Sequence, residues 1–238
     1  MSLIRLDKLI SDSGRYSRSE ANSLIRGGRV SVGGKIITSN SEKIDPNTQE
    51  VKVDNKPLIY KEFIYIMMNK PQGYVSSTED KNDKTVIELL DERYQNLGLF
   101  PAGRLDKDTE GFLLLTNDGD YAHNITSPNK NVSKRYYAQI DGDITDEDIR
   151  LFSRGLSLAD GTLCRPSVLE RASDGVYLTL SEGKYHQVKR MLAAIGKPVK
   201  YLKRLSIGGL VLDESLKPGD YREIDEDLRN KMHQDGGR

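Results

Sequence analysis

Apolar positions recur along the chain at two periods, and the order in which the periods appear divides it. Leu6, Leu9 and Ile10 fall at helical spacing, with Gly14 placed to close that helix. Ser17 and Glu20 stand at capping-box spacing. They open a second helix that carries Ala21, Leu24 and Ile25 and runs to Gly27-Gly28. Alternating stretches at Arg29–Val32 and Lys35–Ile37 flank a Gly33-Gly34 turn and predict a hairpin, and Val51 and Val53 predict one more short strand. Asp54-Asn55-Lys56-Pro57 is polar and proline-marked and reads as a linker.

Beyond that point strands dominate. Phe63–Met68, Phe112–Thr116, Tyr136–Ile140 and Val176–Leu180 are rich in branched and aromatic residues and predict strands. Thr85 and Glu88 form a second capping box, opening a short helix with Leu89 and Leu90. Thr145 caps a helix bearing Ile149 and Phe152 and ended by Gly155. Val188, Met191, Leu192 and Ile195 lie at i, i+3, i+4 and i+7, and Gly196 stops that helix. The pattern predicts an α+β protein with a small N-terminal module at 1–60 and a larger mixed domain at 61–238. The tail Asp235–Arg238 reads as loose.

Composition narrows the classes. A mean hydropathy of −0.60 and apolar runs no longer than strands, such as Phe112–Leu115, exclude a helical membrane protein. A single cysteine, Cys164, excludes a disulfide framework. Arg5, Asp7 and Lys8 interrupt any secretory leader, and the chain reads as cytoplasmic. Basic and acidic residues balance at 36 each, which taken whole argues against a polyanionic partner. Electrostatic footprints are local, however, because salt screens charges beyond about 10 Å. Residues 1–35 carry seven basic residues against three acidic ones, and residues 181–205 carry seven against one. Two basic segments on a neutral chain suit a directed nucleic-acid surface, with a soluble protein of uneven charge as the alternative.

His123, His186 and His233 with Cys164 show no metal-ligand spacing. Neither a nucleophile elbow nor a phosphate-cradling glycine loop is present. The outstanding segment is Gly103-Arg104-Leu105-Asp106-Lys107-Asp108-Thr109-Glu110-Gly111, which feeds the apolar run Phe112–Leu115. Acids on a loop anchored by a buried strand are suited to chemistry. A charged surface turn accounts for the same composition, and a two-carboxylate glycosidase is a further alternative.

Together with Asn69-Lys70-Pro71-Gln72-Gly73-Tyr74, Lys134-Arg135-Tyr136 and Glu182–Met191, that loop resembles the motif set of the pseudouridine synthases. The branch it is most similar to is the RsuA type, which acts on small-subunit ribosomal RNA. The first sixty residues resemble the S4-type RNA-binding module. The resemblance spans almost the whole chain. It implies a mainly antiparallel catalytic sheet and site-specific isomerisation of a uridine in small-subunit (16S) ribosomal RNA. A large-subunit enzyme of the same family, or a non-catalytic RNA-binding or assembly factor on the same scaffold, are the alternatives.

By motif position, the resemblance implies that Asp106 acts at the ribose C1′, directly or through a glycal. Tyr136 stacks on the base, Lys189 pairs with Asp106 where many relatives carry arginine, and Arg104 contacts the RNA. RNA contacts are expected from Arg5, Arg15, Arg18, Arg26 and Arg29 in the small module and from Lys184 and Arg190 in the late basic segment. Asp108 and Glu110 are expected as turn formers or solvated acids. A uridine must leave its stack to be reached, at a few kcal/mol, of which stacking on Tyr136 returns roughly 1–3 kcal/mol. A dry pocket raises a carboxylate pKa by up to about 3–5 units and an adjacent cation lowers it by roughly 1–3, which gives Lys189 its purpose. Uracil is retained and nothing is oxidised, so the resemblance implies no cofactor and no metal. A monomer with ribosomal RNA as partner suffices.

Overall fold

The structure, a computed structural model, describes residues 3–234. The loose tail expected at Asp235–Arg238 lies outside the described residues. Contacts divide the chain into two compact units. The first holds the chain up to Ile64 together with Leu90–Leu99, and the second holds Tyr65–Leu89 and everything from Phe100 onward. This division falls four residues past the expected 60/61 boundary and takes in one later segment.

In the first unit, a two-stranded ribbon pairs β1 (Ile4–Arg5) with β4 (Lys43–Ile44), while α1 (Leu6–Asp12) and α2 (Arg18–Arg26) pack beside a four-stranded sheet. That sheet comprises β2 (Val30–Val32), β3 (Lys35–Ile36), β5 (Val51–Val53) and β6 (Lys56–Pro57), in the antiparallel order β3-β2-β5-β6. The helical spacing read from the sequence buries Leu6, Leu9 and Ile10 against Ala21, Leu24, Ile25 and the valines of β2 and β5. Ser17 and Glu20 form the reciprocal capping box that opens α2.

The expected linker is a correction. Asp54 and Asn55 both have left-handed backbone, with φ of 50° and 61°, as a primed two-residue hairpin turn requires. Lys56 and Pro57 then return as β6 against β5, so the segment completes the small sheet. Asn and Asp tolerate that backbone well, and a proline is acceptable on an edge strand. The later segment Leu90–Leu99 contains α3 (Glu92–Gln95). A Cβ on Gly14, whose φ is +74°, would lie 2.5 Å from the Arg93 carbonyl oxygen, so this glycine permits close packing within the unit.

The second unit is built on a nine-stranded sheet. Its strands are β7 (Tyr65–Lys70), β8 (Phe100–Ala102), β9 (Glu110–Thr116), β10 (Lys134–Ile140), β11 (Val168–Arg171), β12 (Val176–Leu180), β13 (Val199–Ile207), β14 (Leu210–Val211) and β15 (Tyr221–Glu223). The main order is β11-β12-β10-β13-β9-β7-β15, with β8 beside β9 and β14 beside β13. Every pairing is antiparallel except β13 with β9. Gly111 makes that parallel contact possible: with φ at +104°, a Cβ there would sit 2.2 Å from the Arg204 carbonyl oxygen. Both faces of β9 are covered, which explains its unbroken apolar run: Phe112, Leu113, Leu114 and Leu115 are all fully buried.

The helices α4 (Gly119–Thr126), α5 (Asp146–Arg154), α6 (Gln187–Ala194) and α7 (Glu226–Lys231) complete the second unit. Thr145 and Asp148 form the box that opens α5, and Gly155 ends it. The helix expected after Thr85 is a single 3-10 turn at Val86–Leu89, with only the Glu88 side chain accepting from the Thr85 backbone N–H at 2.8 Å. The longest strand, β13, occupies a segment where the basic residues had masked the alternation of Leu202 with Arg204. No helix among the described residues is long and apolar enough to cross a membrane.

Candidate active site

The loop after β8 is held from behind. Gly103, at φ +87°, turns the chain, and buried Leu105 anchors it. The Ser76 hydroxyl donates to the Leu105 carbonyl oxygen and accepts from the Leu105 N–H, both at 3.0 Å. Beneath the loop lies Lys70, the last residue of β7 and fully buried. Its ammonium donates to the carbonyl oxygens of Pro71 at 2.9 Å, Asp106 at 3.1 Å and Thr109 at 2.9 Å, with Lys107 at 3.5 Å. Burial pushes this ammonium down to about 8, against the pull of Asp108, Asp106 and Glu110. Carbonyl groups that a loop would otherwise leave unsatisfied thus find a donor, and the backbone bearing Asp106 is fixed.

Helix α6 brings the partners. Lys189 Nζ lies 3.0 Å from Asp106 Oδ2 and 2.5 Å from Asp108 Oδ1. Burial alone would lower the Lys189 ammonium, but its bonds to Asp108 and Asp106 and their charges outweigh it and hold it above the ordinary lysine range. The same bond to Lys189 holds the Asp108 carboxyl below the usual range. His186, just before α6, has left-handed backbone at φ 46°. From that strained position its Nε2 reaches 3.4 Å from Asp106 Oδ1. The entry to the helix is braced by Gln187: its Oε1 accepts from the Lys184 N–H at 2.8 Å, and its Nε2 donates to buried Glu182 at 2.5 Å.

Asp106 opens onto a cavity of about 760 Å³ within the second unit. Tyr136, 9% exposed on β10, lies on its wall with Leu180, Val188, Leu202 and Ile207. The wall is thus an aromatic ring with aliphatic neighbours, and the carboxylate stands at its edge. That arrangement suits a flat heterocycle whose attached sugar faces the acid.

The expected site residues are brought together unevenly. Asp106, Tyr136, Lys189, Arg104 and Lys184 all line this cavity. Arg104 is exposed and forms no ion pair among the described residues. Lys184 is already engaged, donating to Glu182 at 2.6 Å and to the Leu163 carbonyl at 2.7 Å. Arg190 pairs with Asp160 and donates to the Tyr185 carbonyl, so it braces the loop leading into α6. In the first unit, Arg5 is held by Asp7 and Arg29 by Asp54, each through two hydrogen bonds. Arg15, Arg18 and Arg26 are exposed and form no ion pair among the described residues.

Two acids depart from expectation. Asp108 is exposed, yet it shares Lys189 with Asp106 and belongs to the site. Glu110 accepts from the Tyr201 hydroxyl at 2.6 Å, and burial together with that bond pushes the tyrosine up. His186 and Lys70 lie within the family-like motifs, but sequence reasoning gave neither a role. His186 is brought to Asp106 by a backbone conformation that side-chain patterns do not reveal. A lysine in an apolar strand was the available signal for Lys70: a cation is rarely buried without a task.

Comparison with known proteins accords with this geometry. The profile for RNA pseudouridylate synthases matches residues 64–194, and that for the S4 domain matches residues 4–50. An RNA pseudouridine synthase of Bacillus subtilis (strain 168) is 48% identical over 229 residues, covering 94% of this chain and 96% of its own. The ribosomal small subunit pseudouridine synthase A of Escherichia coli (strain K12) is 43% identical over 227 residues, covering 94% and 97%. A solved pseudouridylate synthase, 39% identical, superimposes with a TM-score of 0.67 over 96% of this chain and 99% of its own. The chain therefore belongs to the RNA pseudouridine synthases, isomerases that carry, here, an N-terminal S4 domain.

Proposed function

We propose that this protein converts a uridine of small-subunit ribosomal RNA into pseudouridine, with Asp106 as the carboxylate that acts at the ribose C1′. One observation carries the reading. The Asp106 carboxylate stands at the edge of an aromatic-walled cavity, its backbone fixed by a buried lysine and its Oδ2 3.0 Å from the Lys189 ammonium. The target nucleotide flips out of its stack at a cost of a few kcal/mol, and the base regains part of that against Tyr136. Lys189, held between Asp106 and Asp108, keeps positive charge beside the reacting carboxylate and fixes its orientation. His186 limits the carboxylate from its other oxygen.

Arg104 contacts the RNA at the cavity mouth. The exposed arginines of the S4 domain hold phosphates and position structured RNA without reading much sequence. Small-subunit RNA is favoured because a relative 43% identical over nearly its whole length is named for that substrate. The enzyme works in the cytoplasm as a monomer: one chain carries both the RNA-holding module and the whole cavity.

The test is to incubate the protein with bare and partly assembled small-subunit RNA, and in parallel with large-subunit RNA, and to map pseudouridine in each by carbodiimide-dependent reverse-transcription stops. A new stop in small-subunit RNA is expected. Stops confined to large-subunit RNA, or none in either, would contradict the proposal.

A further inference from the structure

Two buried cations on the cavity wall form no ion pair among the described residues. Arg204, on β13, is 3% exposed. Its Nε donates to the Phe112 carbonyl oxygen at 2.7 Å, but its Nη2 is buried with no acceptor among the described residues. Lys134, on β10, is 9% exposed, and its Nζ donates to the Val132 carbonyl oxygen at 2.9 Å. Burial, then repulsion from Arg204, push that ammonium down to about 8. Neither residue forms an ion pair among the described residues, and both line the cavity. Thr109, which also lines the cavity, buries a hydroxyl with no partner among the described residues. Like charges buried together, with no ion pair to answer them, cost stability that a purely structural wall has no reason to give up.

The backbone sets their direction. Alternation along β10 puts Lys134 on the same face as Tyr136. Tyr136 lies opposite Arg204 in the antiparallel register, so these two also share a face. Arg135 pairs with Ser206 and Tyr136 with Arg204, which leaves Leu205 as an extra residue, a bulge of the kind that re-aims a side chain beside a site. A base stacked on Tyr136 would therefore lie on the face of the sheet that also bears Arg204 and Lys134. Leu180 and Leu202 on the same wall are suited to a base and hostile to a phosphate.

We propose that Arg204 and Lys134 donate hydrogen bonds to the carbonyl oxygens of uracil and stabilise the negative charge it acquires when it detaches from the sugar. This rests on the reading of Asp106 above. When the C1′–N1 bond breaks, its electron pair leaves with the ring, and the uracil carries one negative charge spread over N1 and the two oxygens. After the ring turns, C5 bonds to C1′, the C5 proton departs and N1 takes up a proton, so the net change is an isomerisation. Donors fixed in a dry wall before the charge develops need no reorganisation when it does.

The test uses the full chain and a transcript carrying one labelled uridine, or one 5-fluorouridine, at the mapped position. Fluorine withdraws electrons and makes the ring a better leaving anion. Arg204→Met is expected to lose about 10²–10³-fold in single-turnover rate on uridine, with RNA affinity nearly unchanged. Fluorouridine has no C5 proton to lose. On both bases the rate compared is therefore that of C1′–N1 cleavage with C5–C1′ bond formation, read by chromatography and mass of the rearranged nucleoside. On fluorouridine the loss should be at least about tenfold smaller, because less charge stabilisation is needed. Equal losses on the two bases would overturn the inference. So would weakened affinity with a shallower salt dependence, which would mark a phosphate contact. Lys134→Met, which gives up only a bond to the carbonyl two residues away, carries the same test if Arg204→Met does not fold. Asp106→Asn is run alongside. If it stays active the catalytic reading fails; if it is inactive while Arg204→Met loses both rates equally, only this inference fails.

Discussion

Arg15, Arg18 and Arg26 of the first unit are exposed and form no ion pair among the described residues. Lys70, Lys134 and Arg204 of the second are buried and bonded to backbone carbonyl oxygens. The same residue types do different work in the two places. Exposed guanidinium groups keep their hydration and exchange water for phosphate at little cost. Buried ones have surrendered hydration in advance, so they act on what enters the cavity and on the loop that carries Asp106. Net charge, which is zero for the chain, conceals both.

The sharpest way to break this contrast is at Lys189, which stands between the two extremes. Lys189→Met removes the ammonium shared by Asp106 and Asp108. The single-turnover rate should fall by roughly 10²–10³-fold, the scale for removing one fixed electrostatic partner. RNA affinity should change little. If affinity falls as much as rate, Lys189 is an RNA contact of the exposed kind.

A second test separates buried from exposed cations by pH. Lys70 and Lys134 are pushed down to about 8 in the folded protein from an ordinary value of 10.5. Below pH 8 both the folded and unfolded chains hold these protons, and the cost of burying the charges is fully present. From pH 8 towards 10.5 the unfolded chain holds more protons, so this contribution makes stability rise with pH. Burial, then the bond to Asp118, raise Tyr65 to about 12; above pH 10 the folded chain holds that proton longer than the unfolded one, which acts in the opposite direction. Urea midpoints should therefore rise between pH 8 and 10, and the double variant Lys70→Met with Lys134→Met should flatten that rise. A flat profile in the unsubstituted protein would show that these lysines are not charged and buried as described.

The mildest effect is expected on the exposed side. Replacing Arg15, Arg18 and Arg26 by alanine should make the salt dependence of RNA binding shallower, by roughly 0.7–0.9 in slope for each phosphate no longer neutralised. The rate at saturating RNA should not change. Affinity titrations at several salt concentrations decide it, and an unchanged slope would remove those arginines from the interface.

What the sequence disclosed follows the same division. Helix caps and local periodicity are short-range, so α1, α2, α5 and α6 were legible from Ser17, Thr145 and the spacing of their apolar residues. Asp54-Asn55-Lys56-Pro57 misled because a polar turn and a linker share one composition. The strand β13 was hidden because buried Arg204 reads as a surface charge. The carboxylate loop was visible through its motif. Its supports were not, since Lys70 lies 36 residues from Asp106 and Lys189 lies 81 from Asp108. Such pairs are fixed by sheet topology, which no window of sequence contains.

Asp106→Asn, assayed for single-turnover pseudouridine formation and for RNA affinity on the same preparation, tests the central claim most directly. Product is expected to fall below detection while the RNA is bound almost as tightly as before. Sustained turnover by that variant, or a fall in binding in step with activity, would contradict the role given to this carboxylate.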